Sequence, residues 1–277
     1  MSRPLFSLAA LTVLELSPPE MIDTAARAGY DGVGLRLIPA TPEEHHFPLT
    51  GDPGLLRRTR GRLRDTGLQV IDIEILRLRP ETRVREEFAR VLELGAELGA
   101  RNVLVAGNDD DPDRTIDHFA ALCDLARPLG LYPHLEFMPW TGVKNLAEAR
   151  HIVGSVRAAG HANACLLVDA FHFNRSASRL DDLAEVPREW MRYVQLCDVA
   201  GPIPGEMQTI LHEARQARCF PGDGDIDLPA LLQRLPASVP FSLEVPTEGL
   251  RRQGVSALDR ARMALEKARR LVEARRS

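Results

Sequence analysis

Four residues that could do chemistry recur at equivalent places in the chain. Glu136, Asp169, Gln195 and Glu244 sit at or near the ends of short apolar runs: His134-Leu135-Glu136-Phe137, Leu166-Leu167-Val168-Asp169, Tyr193-Val194-Gln195-Leu196 and Phe241-Ser242-Leu243-Glu244. Apolar neighbours keep such side chains from solvent, and burying three carboxylates together is very costly unless a cation neutralises them. Three carboxylate oxygens and one amide oxygen form a hard, all-oxygen ligand set. It suits Mg²⁺ or Mn²⁺ better than Zn²⁺ and leaves room for substrate or water. Any one of these acids has a plainer reading, as a helix cap or a partner for arginine. Recurrence at four successive strand ends is what points to a metal.

The elements that must position them alternate regularly. Apolar runs at 5–9, 32–37, 68–76, 102–106, 132–137, 164–170, 193–199 and 241–245 are too short for typical helices and rich in Val, Ile and Leu, as buried strands are. Between them lie amphipathic stretches. One opens at Ser17-Pro18-Pro19-Glu20 and closes at Gly29; others span 53–66, 81–98, 111–129 and 145–159, each followed by glycine, the residue a left-handed C-terminal cap requires. Strict strand–helix alternation implies parallel strands joined by crossovers, and eight such units predict a single (β/α)₈ TIM barrel over 1–277, its parallel eight-stranded barrel ringed by helices. An open doubly wound sheet is the alternative, but no G-x-G-x-x-G or P-loop follows any expected strand.

Composition narrows the function. Of 277 residues 44% are hydrophobic, and 35 basic against 39 acidic side chains leave a net charge of −4, which excludes disorder as the main state and gives no basic footprint for nucleic acid. No apolar run approaches the roughly 20 residues of a membrane span. The stretch 5–14 reads as a strand rather than a secretory signal. Four scattered cysteines (Cys123, Cys165, Cys197, Cys219) form no C-x-x-C pair, as expected of reduced thiols in a cytoplasmic protein. The Arg-rich end, 269–276, reads as the exposed face of a last helix. A homo-oligomer is compatible with all of this.

Other side chains are candidates for substrate contact. His172, in the loop leaving the sixth strand, could hydrogen-bond a substrate oxygen or protonate a leaving hydroxyl; the alternative is a surface-loop histidine. Arg218 could grip a carboxylate or phosphate with a forked pair of donors, or be an ordinary solvated arginine. Arg36 lies inside an apolar strand and needs an anion, either a substrate carboxylate or Glu74 on the next strand, the favoured partner. His45-His46 fall in the long segment 39–53, read as a mobile loop over the barrel mouth where His46 reaches substrate. Trp140 reads either as an apolar pocket wall or as packing. Pro221-Gly222-Asp223-Gly224-Asp225 lacks the trailing Glu of a calcium loop and reads as a turn.

Taken together, the eight-unit layout, Leu135-Glu136-Phe137, Asp169-Ala170-Phe171-His172 and Pro221-Gly222-Asp223-Gly224 resemble the xylose isomerase-like barrels, the sugar phosphate isomerases and epimerases. The resemblance implies a divalent metal on Glu136, Asp169, Gln195 and Glu244, with the two glutamates flanking substrate as general base and acid. It implies an isomerase or epimerase of a small polyhydroxylated ketone or sugar (phosphate), working through a metal-stabilised enediolate. Ketose epimerases usually carry His where Gln195 stands. Gln195 with Asp198 and Arg218-Cys219-Phe220-Pro221-Gly222 is closer to the 3-dehydroshikimate dehydratases, so a lyase is the alternative, and a non-catalytic binding barrel is the third. An apurinic-site endonuclease is disfavoured by the absence of histidines at the expected ligand positions and by the negative charge.

Overall fold

The computed structural model describes residues 3–274. Strands β1 (Phe6–Leu8), β2 (Gly32–Arg36), β3 (Gln69–Leu78), β4 (Asn102–Gly107), β5 (Tyr132–Glu136), β6 (Cys165–Asp169), β7 (Val194–Leu196) and β8 (Phe241–Leu243) pair in chain order, all parallel, and β8 closes on β1. This is the expected (β/α)₈ barrel. Its helices are α1 (Pro18–Ala28), α2 (Pro53–Thr66), α3 (Val84–Glu97), α4 (Pro112–Ala126), α5 (Leu146–Ala158), α6 (Ala170–Arg175), α7 (Leu180–Ala184), α8 (Met207–Gln216), α9 (Leu228–Arg234), α10 (Glu248–Arg252) and α11 (Ala257–Ala274). None of the described helices is long and apolar enough to cross a membrane.

Local chemistry sets the boundaries. Asp52 and Asp111 cap α2 and α4 ahead of a proline in the first turn, and Gly29 and Gly67 end α1 and α2 with φ of 92° and 70°. The expected helix at 111–129 breaks into a 3₁₀ turn at Arg127–Leu129, where Pro128 has no N–H to continue the ladder. The run 193–199 is strand only over Val194–Leu196, because Asp198 leaves the barrel register. Its backbone pairs antiparallel with Cys219, and its carboxylate accepts from the amides of Gly222 and Ile226. That confirms 221–225 as a turn. A Cβ on Gly224 would stand 2.4 Å from the Asp198 carboxylate. Of the basic end, Arg269 donates to the Gly29 carbonyl at 2.7 Å from α11, while Arg275 and Arg276 lie outside the described residues.

The main apolar core lies between the outer strand faces and the helices. Inside the barrel a smaller apolar cluster, including Ile71, Leu104, Ala106 and Leu167, fills the β3–β6 side. The β2–β3 register shifts between Val33 and Gly34, which sets Ile71 against Gly32 and Asp72 against Gly34 with no space for a Cβ on either glycine. Beyond the β1–β8 ladder, a hydroxyl ties the seam: Thr12 Oγ1 donates to Leu243 O and accepts from Val245 N, each at 2.8 Å.

Candidate active site

Parallel strands deliver their C-terminal residues to one face, and the predicted residues meet there. Asp169, the last residue of β6, caps α6: its Oδ1 accepts from the His172 amide at 3.0 Å. The plain reading of a strand-end acid as a cap therefore holds for Asp169, and the cap is what brings His172 inward. His172 Nε2 lies 3.7 Å from Glu136 Oε1, both buried. Ligand atoms of Glu136, Asp169 and His172 all fall within 4.8 Å of one another. On the neighbouring strands, Gln195 Nε2 donates to Glu244 Oε1 at 3.3 Å.

Arg218 lies among these acids rather than in solvent. Its Nη1 is 2.8 Å from Asp169 Oδ2 and its Nη2 is 2.9 Å from Glu244 Oε2, while Nε donates to Ala214 O and the guanidinium lies over the Phe171 ring. The forked donors expected to grip a substrate anion are thus engaged by two carboxylates of the site itself.

Glu136, Asp169 and Glu244 carry three potential negative charges against one guanidinium, a deficit that one divalent cation would balance. The buried Glu136 Oε1 and Gln195 Oε1 have no hydrogen-bond partner among the described residues. Two orphaned oxygens of this kind fit the donor set of a hard metal ion. His172, absent from the expected ligand set, supplies a nitrogen donor within the same cluster.

The electrostatics follow from burial. Burial, reinforced by Asp169 and Glu244, pushes the Glu136 carboxyl well above the usual range. Glu244 rises to about 7 through burial, with Arg218 opposing the rise. Burial drops His172 to about 3, so its imidazole is neutral near pH 7. Burial also works against the charge on Arg218, but Asp169 and Glu244 outweigh it and hold the cation.

Above the cluster opens a cavity of about 270 Å³, small even among ligand pockets, which run from roughly 300 Å³ upward. Glu136, His172, Arg218, Glu244, Trp140 and Arg36 line it. The Trp140 ring meets His172 edge-on at 5.1 Å, so the pocket-wall reading of Trp140 matches its placement. His46 does not line this cavity. It lies with Phe47 in a shallow neighbouring cleft that also touches Arg36. Arg36 reaches Glu74, as favoured, at 3.5 Å, and more closely Glu44 of the 39–53 segment at 2.8 Å.

Two features escaped the sequence reading. Arg77 at the end of β3 lines the cavity with no carboxylate within ion-pair distance among the described residues; it donates to Ala40 O and Asn108 Oδ1. Below the mouth lie the fully buried Ser7, Asp72 and His134 of the odd strands and Tyr193 just ahead of β7, each with a polar side-chain atom lacking a partner among the described residues. A bulge that shifts facing parity conceals Asp72. His134 and Tyr193 were visible as polar residues two positions before Glu136 and Gln195, the spacing of side chains on one strand face.

A family model described as xylose isomerase-like TIM barrel matches residues 22–273. The chain is 31% identical over 247 residues to a 3-dehydroshikimate dehydratase of Pseudomonas aeruginosa, covering 84% of this chain and 37% of that protein. It thus spans little more than a third of that relative's length. A xylose isomerase-like TIM barrel/4-hydroxyphenylpyruvate dioxygenase fusion protein superposes with a TM-score of 0.83 at 24% identity, over 99% of this chain and 44% of that one. The IOLI protein with a bound zinc atom superposes at 0.80 with 20% identity, over 98% of each chain. These two likenesses speak to the fold.

Proposed function

Because the chain belongs to the xylose isomerase-like TIM barrel family, we propose that it is a divalent-metal-dependent dehydratase of the 3-dehydroshikimate type. Isomerisation or epimerisation of a polyhydroxylated ketone is the competing outcome of the same first step. The observation that carries the reading is the buried pairing of Glu136 and His172 at 3.7 Å on the wall of a small cavity beside Asp169, Gln195 and Glu244.

A metal would be held by Glu136, Asp169, Gln195 and Glu244, with His172 in the same cluster as Glu136 and Asp169 and with Arg218 sharing the Asp169 and Glu244 carboxylates; Mn²⁺ or Mg²⁺ is the proposed ion. Once bound, the ion supplies Lewis-acid polarisation of the substrate carbonyl. The chain's own residues do the rest. Glu136 takes the proton α to the ketone; burial beside Asp169 and Glu244 raises its proton affinity, which favours its acting as a base. The neutral His172 passes that proton to the β-hydroxyl, which departs as water, and Glu136 returns to its starting charge. Glu244 closes the opposite side of the cavity, where it would serve as the second acid–base group in an epimerisation. Trp140 and Met138 exclude bulk water from the reacting face. The 31% identity to a 3-dehydroshikimate dehydratase over most of this chain supports dehydration over isomerisation.

Incubation of the Mn²⁺-loaded protein with 3-dehydroshikimate, followed by ultraviolet absorbance, tests this: a new aromatic chromophore is expected. Solvent deuterium entering recovered ketoses without any aromatic product would replace the dehydratase reading by an isomerase. Neither reaction, together with no divalent ion found by elemental analysis, would leave a binding barrel.

A further inference from the structure

Arg36 and Arg77 project into the same cavity from adjacent strands, and both are held by one short piece of chain. Glu44 Oε2 accepts from Arg36 Nη1 at 2.8 Å, its other oxygen accepts from the Ala40 amide at 3.1 Å, and the Ala40 carbonyl accepts from Arg77 Nε at 3.1 Å. Arg36 already has a strand-borne counter-ion in Glu74, 3.5 Å away, and its Nε is buried without a partner. Arg77 has none. Burial and the neighbouring Arg36 together depress its cation to about 10. Two arginines side by side in one cavity repel unless an anion lies between them. Glu44 and Glu74 meet that need on the Arg36 side alone.

We propose that Arg36 and Arg77 form a carboxylate subsite, and that Glu44 is its internal occupant, displaced when a substrate carboxylate arrives. This rests on the dehydratase reading for the substrate's identity, since 3-dehydroshikimate carries a ring carboxylate and a neutral ketose does not. A carboxylate shared by two guanidiniums satisfies Arg77, which Glu44 leaves without an anion. The displaced Glu44 faces a cavity margin shared with Glu43, and the segment 38–52 loses its tie to β2. The subsite thereby selects for a carboxylate and couples its capture to movement of the loop over the mouth.

Binding of shikimate, which has the carboxylate but no reacting ketone, and of shikimate methyl ester to the Mn²⁺-loaded full chain separates the possibilities. Calorimetry is expected to show the ester binding at least about tenfold more weakly than the acid. Glu44→Gln should tighten shikimate several-fold and leave the ester unchanged, and Arg77→Met should weaken shikimate about tenfold with little effect on the ester. Hydrogen exchange of 38–52 should rise when shikimate binds the wild type and be raised already in Glu44→Gln. Equal affinity for acid and ester, no detectable binding of either, or weaker shikimate binding by Glu44→Gln overturns the subsite. Aromatic product from 3-dehydroshikimate without discrimination between acid and ester would sink the subsite and leave the dehydratase reading intact. Discrimination without turnover would do the reverse.

Discussion

Arg218 and Asp169 form a buried ion pair: Nη1 and Oδ2 are 2.8 Å apart, and the two side chains are 2% and 0% exposed. The same guanidinium holds Glu244. A cation so placed is a fixed counter-charge for the acids, and removing it leaves them facing one another in low dielectric. Arg218→Met is expected to lower the unfolding free energy by about 3–5 kcal/mol. Urea denaturation with EDTA and with Mn²⁺ checks this. Added Mn²⁺ should restore more stability to the variant than it adds to the wild type, because the ion replaces the lost positive charge.

Glu136→Gln and Glu244→Gln each preserve shape while removing a proton acceptor. Turnover should fall by roughly 10²- to 10⁴-fold in Glu136→Gln, which loses the base, and should also fall in Glu244→Gln, which loses a carboxylate proposed to hold the metal. The far-ultraviolet circular dichroism should remain near that of the wild type in both. The melting temperature should stay near it in Glu136→Gln, whose charge burial already disfavours, and fall in Glu244→Gln, which removes one of the two carboxylates paired with the buried Arg218. Full activity in both variants would contradict the assigned roles.

His134 makes stability depend on pH away from the metal cluster's own chemistry. Burial holds its folded pKa down at about 3, against 6.5 for an unperturbed imidazole, while Nδ1 lies 2.7 Å from Tyr132 O. Between those values the unfolded chain binds the extra proton and the folded chain does not. The stabilisation is therefore complete above about pH 6.5 and is lost as pH falls toward 3, by at most about 1.4 kcal/mol per pH unit. His172 has the same sign. Urea midpoints at pH 7, 6 and 5 should fall less steeply in His134→Phe than in the wild type.

Gly142, in the turn after β5, stands where a Cβ would lie 2.0 Å from the Asp109 carbonyl oxygen and 2.4 Å from its carbon. Backbone atoms cannot rotate aside, so Gly142→Ala should cost at least about 2–3 kcal/mol. Gly61, mid-helix in α2, has open space where a Cβ would stand, with nothing within 4 Å. Gly61→Ala should stabilise by about 0.5–1 kcal/mol. Chemical denaturation of the two variants side by side reads both signs.

The periodic features of this chain were legible before any coordinates. Proline and aspartate opened helices, glycine closed them, and short β-branched runs between them defined the barrel. Position at a strand end was enough to bring Glu136, Asp169, Gln195 and Glu244 to one face. The destination of Arg218 was not legible, because its partners lie 49 and 26 residues away and the turn at 221–225 decides its direction. Glu44 lies in a loop with no periodic signature, and Arg77, although at a strand end, follows Glu74 by three residues on a strand whose register shifts at the bulge. Their significance comes from a loop crossing the mouth. The assignment of Arg36 to Glu74 identified a real partner but not the nearer one.

The tier of Ser7, Asp72, His134 and Tyr193 bears on how the cylinder keeps its shape. Its polar members sit beside the apolar cluster of Ile71, Leu104 and Leu167, so greasy filling braces the strands from within on the β3–β6 side only. Around the rest of the ring the staves rely more on the hoop of helices pressed on their outer faces. Enlarging or trimming an outward residue such as Leu135 or Leu166 should therefore distort the mouth more than an equal change among the inward ones.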